Sequence, residues 1–465
     1  MNRLLRLLCA AAALSTLAGP ARADATFDRK AVVERVAALV DELYVDPKTG
    51  KALAEHLRKK LAQGAFDSCS APSDLADALT RALREVADDK HLNVRFGANA
   101  ATGGPVRIVR GGPGPGGHEP ASSGGRRIVG PNERPGEGPD RAPARSNVAR
   151  VERLDGNVGY LALSGFSPSD RNRDAMASAM TLLDDADAIL VDVGQCPGGA
   201  PVAVAFLESY FFGPEPKELL ARYDRPLDRT DHDFTLKDLP GKRRAEVPLW
   251  IIAGPDTASA CESFAYTLQK HGRATVVGAR TVGAGYNNVM VSAGEGFTLS
   301  VSVARPLHPK TGVGWEGTGV TPDVVAAPGR ALAAAHREAL KALLAKAPPD
   351  RRVALEWALE AQEAGTGKVT APLAAYAGNY GAREITAAEA GLFYRNAGGR
   401  LAGPFVPVAA DRFLFRGELR LNFERGSDGA VSALSLERPD GTRERVEKGA
   451  AGTAAAAPCA AGRGK

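Results

Sequence analysis

Ser259, His91 and Glu316 are residue types that can carry out acyl transfer, and they are widely separated in this chain of 465 residues. Ser259 follows the apolar run Leu249 to Ala253, which predicts a buried strand, and a turn of sequence Gly-Pro-Asp. From Ala258 onward the apolar residues recur at helical spacing. We therefore expect Ser259 in the first turn of a helix, where unpaired N–H groups and the helix dipole favour negative charge and suit a nucleophile.

The same spacing also fits a purely structural role for this serine. Ser259 and Glu262 match the S-x-x-E capping box, in which the two side chains bond to backbone N–H groups at the start of a helix. Both interpretations, cap and nucleophile, stay open from these residues alone.

The histidine and the glutamate have equally plain alternatives. His91 lies where a helical pattern ends and an alternating run, Leu92 to Phe96, begins, so it is either a surface or capping residue or a general base. Glu316 lies in a loop rich in turn residues, Trp315 to Asp323. It is either a solvated carboxylate or the acid partner of a histidine.

A glycine-rich turn follows a second predicted buried strand, Ala188 to Val193, and precedes a helix. Such a turn can cradle phosphate. However, the chain has neither a Gly-Lys-Ser/Thr nor a G-x-G-x-x-G motif, which weakens a nucleotide-binding interpretation. The alternative is that Gly198 and Gly199 donate N–H groups to an oxyanion.

The elements expected to position these residues divide the chain into several units, as its length also requires. Helical periodicity predicts three helices between Phe27 and Val86, and a strand is expected at 106–109. Residues 222–244 are polar, and we expect a loop there. We predict the following units: signal peptide 1–23, helical cap 24–96, Gly/Pro-rich flexible segment 97–146, α/β core 147–330, helical linker 331–365, β-rich accessory domain 366–448 and disordered tail 449–465.

Composition limits the location and the partners of the protein. Arg3 and Arg6 precede an apolar run and the sequence Ala-Arg-Ala, so we expect a signal peptide cleaved after Ala23 and a soluble exported (periplasmic or secreted) protein. No later segment is apolar enough to span a bilayer. The net charge of +5 is dispersed and no basic-aromatic stripe occurs, which argues against nucleic acid.

The cysteines and histidines indicate no bound metal. No group of His, Cys or carboxylates has metal-ligand spacing. Cys196 and Cys261 both lie near the proposed site, and an exported location permits a disulfide between them. Free buried thiols are an equally good interpretation.

Four stretches together resemble the tail-specific, or C-terminal-processing, serine peptidases, and most closely the branch of the tricorn core and interphotoreceptor retinoid-binding protein. The stretches are DKHL, AILVDVGQCPGG, TASACESFAYTLQKHGRATVVGARTVGAG and WEGTGVTPDV. They occur in the family's order. The resemblance covers roughly residues 27–327 and implies a crotonase-like ββα core.

The resemblance also implies roles for individual residues. Ser259 matches the nucleophile, and the N–H of Ala260 with Gly198 or Gly199 matches the oxyanion hole. The family's processing proteases use a Ser-Lys dyad, but Ala284 occupies the lysine position here. The tricorn-like branch instead uses a histidine and a glutamate, which match His91 as general base and Glu316 as its partner, acting directly or through another polar group.

This sequence departs from the family at several positions. Gly194 and Cys196 replace the arginine and asparagine of the first motif, and Lys90 replaces a serine before the histidine. The processing branch carries a PDZ domain, for which the segment 97–146 is too short and too poor in apolar residues. The resemblance therefore implies a serine peptidase that acts on protein or peptide substrates without a cofactor. The alternatives are a non-catalytic module that binds apolar ligands and a hydrolase of small esters.

Overall fold

The computed structural model describes residues 27–97, 146–364, 369, 371–396 and 398–449, and the backbone of two short strands between residues 97 and 146. The expected signal peptide, residues 450–465 of the expected tail and most of the segment 97–146 lie outside the described residues. One of the two strands overlaps the strand expected at 106–109.

Three helices and one strand form the N-terminal unit: α1 (Arg29–Leu43), α2 (Pro47–Ala62), α3 (Pro72–Arg84) and β1 (Asn93–Phe96). Asp28 and Asp46 cap the first two helices by accepting hydrogen bonds from backbone N–H groups. The third helix begins at Pro72 with Ala71 as its N-cap residue, and the Asp74 carboxylate accepts a hydrogen bond of 3.4 Å from the N–H of Ala71. The two short strands that follow, β2 (Arg107–Arg110) and β3 (Arg126–Val129), pair with each other in antiparallel fashion.

The middle of the chain forms a mixed α/β core, as the sequence predicts. Its elements in chain order are β4 (Val148–Leu154), β5 (Val158–Leu163), α4 (Asp170–Leu182), β6 (Ala188–Asp192), α5 (Pro201–Glu208), β7 (Glu218–Asp224), β8 (Arg229–Phe234), β9 (Leu249–Ala253), α6 (Ala260–Lys270), β10 (Thr275–Gly278), β11 (Asn287–Gly294), β12 (Phe297–Leu307), β13 (Val324–Val325), α7 (Ala331–Ala345) and α8 (Pro349–Glu363).

A six-stranded sheet of order β13-β10-β9-β6-β5-β4 lies at the centre, and all its pairs are parallel except β4 with β5. Alternate residues of its strands face opposite sides. Ile189, Val191 and Ile251 pack toward α4, α5 and α6, whereas Leu190 and Ile252 pack toward α7 and α8. Because both faces are covered, these strands appear in the sequence as continuous apolar runs.

A second sheet joins the core to the N-terminal helices. Its order is β1-β12-β7-β8, and β11 also pairs with β12. Buried residues of α1, α2 and α3 share one apolar cluster with β11 and β12, so the helices do not enclose a core of their own. The prediction of a loop over residues 222–244 is wrong for the first half of that range, since β7 and β8 form a hairpin there. β8 is a half-exposed edge strand, which explains why its sequence, RTDHDF, is polar.

The C-terminal part is an antiparallel sheet of eight strands in sequential order, namely β14 (Gly378–Tyr380), β15 (Arg383–Ala388), β16 (Gly391–Arg395), β17 (Leu401–Ala409), β18 (Arg412–Phe415), β19 (Leu419–Arg425), β20 (Val431–Glu437) and β21 (Arg443–Glu447). A bridge between Tyr380 and Lys448 brings its two ends together, so the sheet is barrel-like. Aromatic residues fill its interior, among them Tyr376, Phe405 and Phe413. The C-terminal part, which the sequence predicts to be β-rich, is thus a small antiparallel β domain.

Candidate active site

Ser259 lies on a sharp turn between β9 and α6. It is the N-cap residue of α6, with φ 53° and ψ −119°. A non-glycine residue rarely adopts this backbone conformation, which costs on the order of 1–3 kcal/mol and persists only where the surroundings enforce it. The turn presents the hydroxyl beyond the end of the sheet, as the sequence predicts.

The buried carboxylate of Glu262 enforces this conformation. Its Oε2 accepts hydrogen bonds from the N–H of Ser259 and of Ala284, both at 2.8 Å. Its Oε1 accepts from the N–H of Gly283 at 2.7 Å and from the hydroxyl of Thr281 at 2.5 Å. Glu262 therefore makes the reciprocal half of the predicted capping box, and it also ties the helix to the turn at 281–284. The serine hydroxyl is not needed for that cap.

His91 meets Ser259 across 168 residues of sequence. Its Nε2 lies 3.2 Å from the Oγ of Ser259, within hydrogen-bonding distance. Pairing of β1 with β12, in which Asn93 lies opposite Ser300, fixes the segment that carries the histidine. A serine hydroxyl and an imidazole in this arrangement form the nucleophile and base of acyl-transfer enzymes.

Asp89 is the carboxylate next to this histidine. It is 2% exposed, and its Oδ1 accepts a hydrogen bond of 2.8 Å from the backbone N–H of His91. Within the described parts of the chain, the Oδ2 of Asp89 and the Nδ1 of His91 are both buried without a hydrogen-bond partner. Burial lowers the pKa of His91, and the negative charges of Asp89 and Glu262 act in the opposite direction.

Glu316 lies nearby but is held by a different segment. Its Oε2 accepts hydrogen bonds from the N–H of Gly285 at 2.6 Å and of Tyr286 at 2.8 Å. Burial, with a further contribution from Asp89, raises the pKa of Glu316 to about 7. No hydrogen bond joins Glu316 to His91 in the described structure, so any influence on the imidazole passes through intervening groups.

The glycine-rich turn after β6 packs directly against the serine. A Cβ at Gly198 would lie 3.1 Å from the Cβ of Ser259, and one at Gly199 would lie 2.2 Å from the carbonyl oxygen of Phe166. Gly199 has φ 153°, so glycine is required there by both space and conformation. Among the described residues, the N–H groups of Gly198, Gly199 and Ala260 donate to no protein acceptor, which leaves them available to an oxyanion.

A disulfide between Cys196 and Cys261 links this turn to the first turn of α6. The N–H of Ala258 also donates to the carbonyl of Cys196 at 3.0 Å. The structure thus selects the bridge from the two alternatives that the sequence leaves open. The bridge holds the two sources of N–H groups next to each other.

A cleft with a cavity volume of about 50 Å³ opens beside Ser259. Its walls come from α5, the start of α6, β7 and the segment at 285–287. Polar side chains lie among the lining residues, namely Glu208, Arg222, Asp233 and Ser263. The described residues include no group of three or more His, Cys, Asp or Glu that could bind a metal.

Comparison with known proteins agrees with this geometry. Residues 157–326 match the model of peptidase family S41, and residues 26–106 match that of the N-terminal domain of peptidase S41 in eukaryotic IRBP. Together the two models cover just over half of the chain. The chain belongs to peptidase family S41. The resemblance noted in the sequence is therefore confirmed, and the family is one of serine-type peptidases.

Two curated S41 relatives are similar over part of their length. The carboxy-terminal-processing protease of Bartonella bacilliformis is 28% identical over 180 residues, which are 37% of this chain and 39% of that protein. The carboxyl-terminal-processing protease of Synechocystis sp. is 30% identical over 149 residues, or 32% of this chain and 33% of that protein. This chain thus spans between 33% and 39% of the length of these relatives.

Solved structures of the same kind are also similar. The photosystem II D1 C-terminal processing protease has a TM-score of 0.40 and 20% identity, covering 65% of this chain and 94% of that one. The tricorn protease has a TM-score of 0.39 and 13% identity, covering 66% of this chain and 35% of that one.

The structure brings together all the site residues that the sequence singles out. Glu316 lies near His91 but forms no hydrogen bond with it in the described structure. Sequence reasoning missed Asp89 and Glu208. Asp89 stands two residues before His91, in the D-x-H pattern, and that spacing is a signal that could have indicated it. Glu208 lies in an apolar helical run, and only its burial beside the cleft distinguishes it.

Proposed function

We propose that this S41 protein is an exported serine peptidase that hydrolyses peptide bonds through an acyl-enzyme on Ser259, with His91 as general base. The observation that carries the proposal is the 3.2 Å approach of His91 Nε2 to Ser259 Oγ. The strained turn at Ser259 and the free N–H groups around it add further support. Ala284 occupies the position of the family's lysine, which favours histidine over lysine as the base.

In this mechanism Ser259 Oγ attacks the substrate carbonyl while His91 Nε2 takes the hydroxyl proton. The N–H groups of Gly198 or Gly199 and of Ala260 stabilise the oxyanion. Collapse of the intermediate breaks the C–N bond, and the imidazolium gives its proton to the leaving amine. A water molecule, deprotonated by His91, then releases the acyl group as a carboxylic acid, and the serine recovers its proton.

We propose that Asp89 is the carboxylate that supports the imidazolium, because it is buried beside His91 and bonded to its backbone N–H. Glu316 acts on the same site through the segment at Gly285 and Tyr286, just before β11, that it holds, and through its proximity to Asp89. This assignment gives the two carboxylates different tasks.

Export, the crotonase-like class of the core and the unit boundaries given above belong to the same proposal. A signal-like N-terminus and a disulfide both fit an oxidising compartment. The antiparallel pair β4–β5 followed by α4 is a ββα unit. In the described part of the chain, no helix is both long and apolar enough to cross a bilayer.

Labelling with a fluorophosphonate, which reacts only with an activated serine, tests the catalytic proposal. We expect the folded wild-type protein to be labelled and the Ser259→Ala and His91→Ala variants to lose labelling. Absence of labelling in the wild type would contradict the proposal and favour a non-catalytic binding module. The charged lining of the cleft fits an apolar ligand poorly. Ester turnover without cleavage of unfolded proteins would identify a small-ester hydrolase.

A further inference from the structure

Helix α5 carries a carboxyl group to the cleft beside the nucleophile. Pro201, Ala205 and Glu208 lie on one face of this helix and line the cleft together with Ser259. Glu208 follows Pro201 by seven positions of helix, a rise of roughly 10 Å. Helical side chains lean toward the N-terminus of their helix, so the Glu208 carboxyl extends back toward the serine end.

Glu208 has no cationic partner among the described residues. The residue is 2% exposed, and its Oε1 forms no hydrogen bond within the described structure. Burial raises the pKa of Glu208 well above its ordinary value, and the carboxylate of Asp233 acts in the same direction. No cation from the described residues opposes them.

The cation that does line the cleft is already paired. Arg222 donates to Asp233 at 3.3 Å across the β7–β8 hairpin, and both side chains are partly exposed. This pair leaves Glu208 as the uncompensated acidic group of the cleft.

A second polar atom accompanies the carboxyl. Thr267 is fully buried, and its hydroxyl lowers the pKa of the neighbouring Glu208 carboxyl, against the larger effect of burial. Thr267 follows Ser263, which lines the cleft, by one turn of α6. A buried acidic group with a neighbouring hydroxyl can accept hydrogen bonds from an ammonium or guanidinium group.

We infer that this cleft binds the substrate side chain on the acyl side of the scissile bond, and that Glu208 selects lysine or arginine there. The inference rests on the proposed peptidase function. A cationic side chain supplies the missing charge and donates to Glu208 and Thr267. An uncharged side chain of equal length leaves the buried carboxyl without a partner, which disfavours its binding.

Active-site phosphonates that differ only at this side chain test the inference. The lysine analogue carries an ammonium group, the norleucine analogue has a nearly isosteric chain without it, and a simple fluorophosphonate has no such side chain. Labelling rates of the first two, each divided by the rate of the third, are compared in the wild type, Glu208→Gln and Glu218→Gln. The last is a matched control on β7, where Glu218 pairs with His232 and does not line the cleft.

We expect the wild type and Glu218→Gln to favour the lysine analogue by at least about tenfold, and Glu208→Gln to reduce that ratio to near one. Any of four results would overturn the inference. The wild type shows no preference, it prefers the norleucine analogue, it is labelled by neither analogue, or the preference for the lysine analogue persists in Glu208→Gln. In all these cases labelling by the simple fluorophosphonate leaves the proposed function standing. If the simple fluorophosphonate does not label the wild type, both this inference and the proposed peptidase function are overturned.

Discussion

His91 acts as a base only while its ring is oriented and its positive charge is tolerated. One ring nitrogen faces Ser259, and the other, Nδ1, is buried beside the carboxylate of Asp89. At the scale of single residues, the site therefore depends on a carboxylate that precedes the histidine by two positions, in addition to the glutamate that the family pattern indicates.

Asp89→Asn tests this dependence through the pH profile of fluorophosphonate labelling. Labelling needs neutral His91, so its rate rises with pH through the pKa of the imidazole, which burial already lowers. Loss of the Asp89 charge lowers that pKa further. We therefore expect the acid limb to move to lower pH, and the plateau to fall by at least about tenfold because the base is weaker and less well oriented.

Asp88→Asn is the matched control, since Asp88 is exposed and pairs with Lys90 on the surface. Its profile should coincide with that of the wild type. A uniform loss of labelling in Asp89→Asn without movement of the acid limb would mean that Asp89 only stabilises the fold around the histidine.

At the scale of elements, the turn from β9 into α6 stores backbone strain at the nucleophile. Ser259 has φ 53°, whereas Ser263, one turn later, lies within regular helix. Glycine adopts the conformation of Ser259 without strain but is less favourable than alanine inside a helix.

We expect Ser259→Gly to be more stable than Ser259→Ala by about 1 kcal/mol, because relief of strain exceeds the entropy that glycine gains in the unfolded chain. At Ser263 the order should reverse, with Ser263→Gly less stable than Ser263→Ala by about 0.5–1 kcal/mol. Urea unfolding of the four variants measures both differences. The same order at both positions would show that the turn is not strained.

The sequence predicts the elements that bury their side chains on regular faces better than those that do not. The strands β6 and β9 are correctly placed because their apolar runs are covered on both faces. The hairpin β7–β8 is missed in part because its outer strand alternates partly and fully exposed polar residues. The motifs predict Ser259 and His91, but the burial of Asp89 against the histidine and of Glu208 beside the cleft exists only in the folded chain.

At the scale of the whole molecule, the site is assembled from two units. Ser259 belongs to the α/β core, and His91 comes from the N-terminal unit, whose helices pack against β11 and β12. Three hydrogen bonds support this packing. The N–H of Val45 donates to the carbonyl of Ser302 at 2.8 Å, and Arg225, between β7 and β8, donates to the carbonyls of Asp41 and Tyr44.

Arg225→Ala should therefore lower activity without touching the site. The guanidinium caps the carbonyl end of α1, where cations are favoured, and so fixes that helix against the core. We expect faster hydrogen exchange across residues 29–96 and a three- to tenfold lower rate of fluorophosphonate labelling, since misplacement of a catalytic group by a fraction of an ångström has a cost of about this size or more.

The control is Arg351→Ala, which removes a surface ion pair with Asp187 and should change neither quantity. If exchange across residues 29–96 becomes faster while labelling stays at the wild-type rate, the histidine is positioned by β1 and β12 alone, and the helices serve only to cover the sheet.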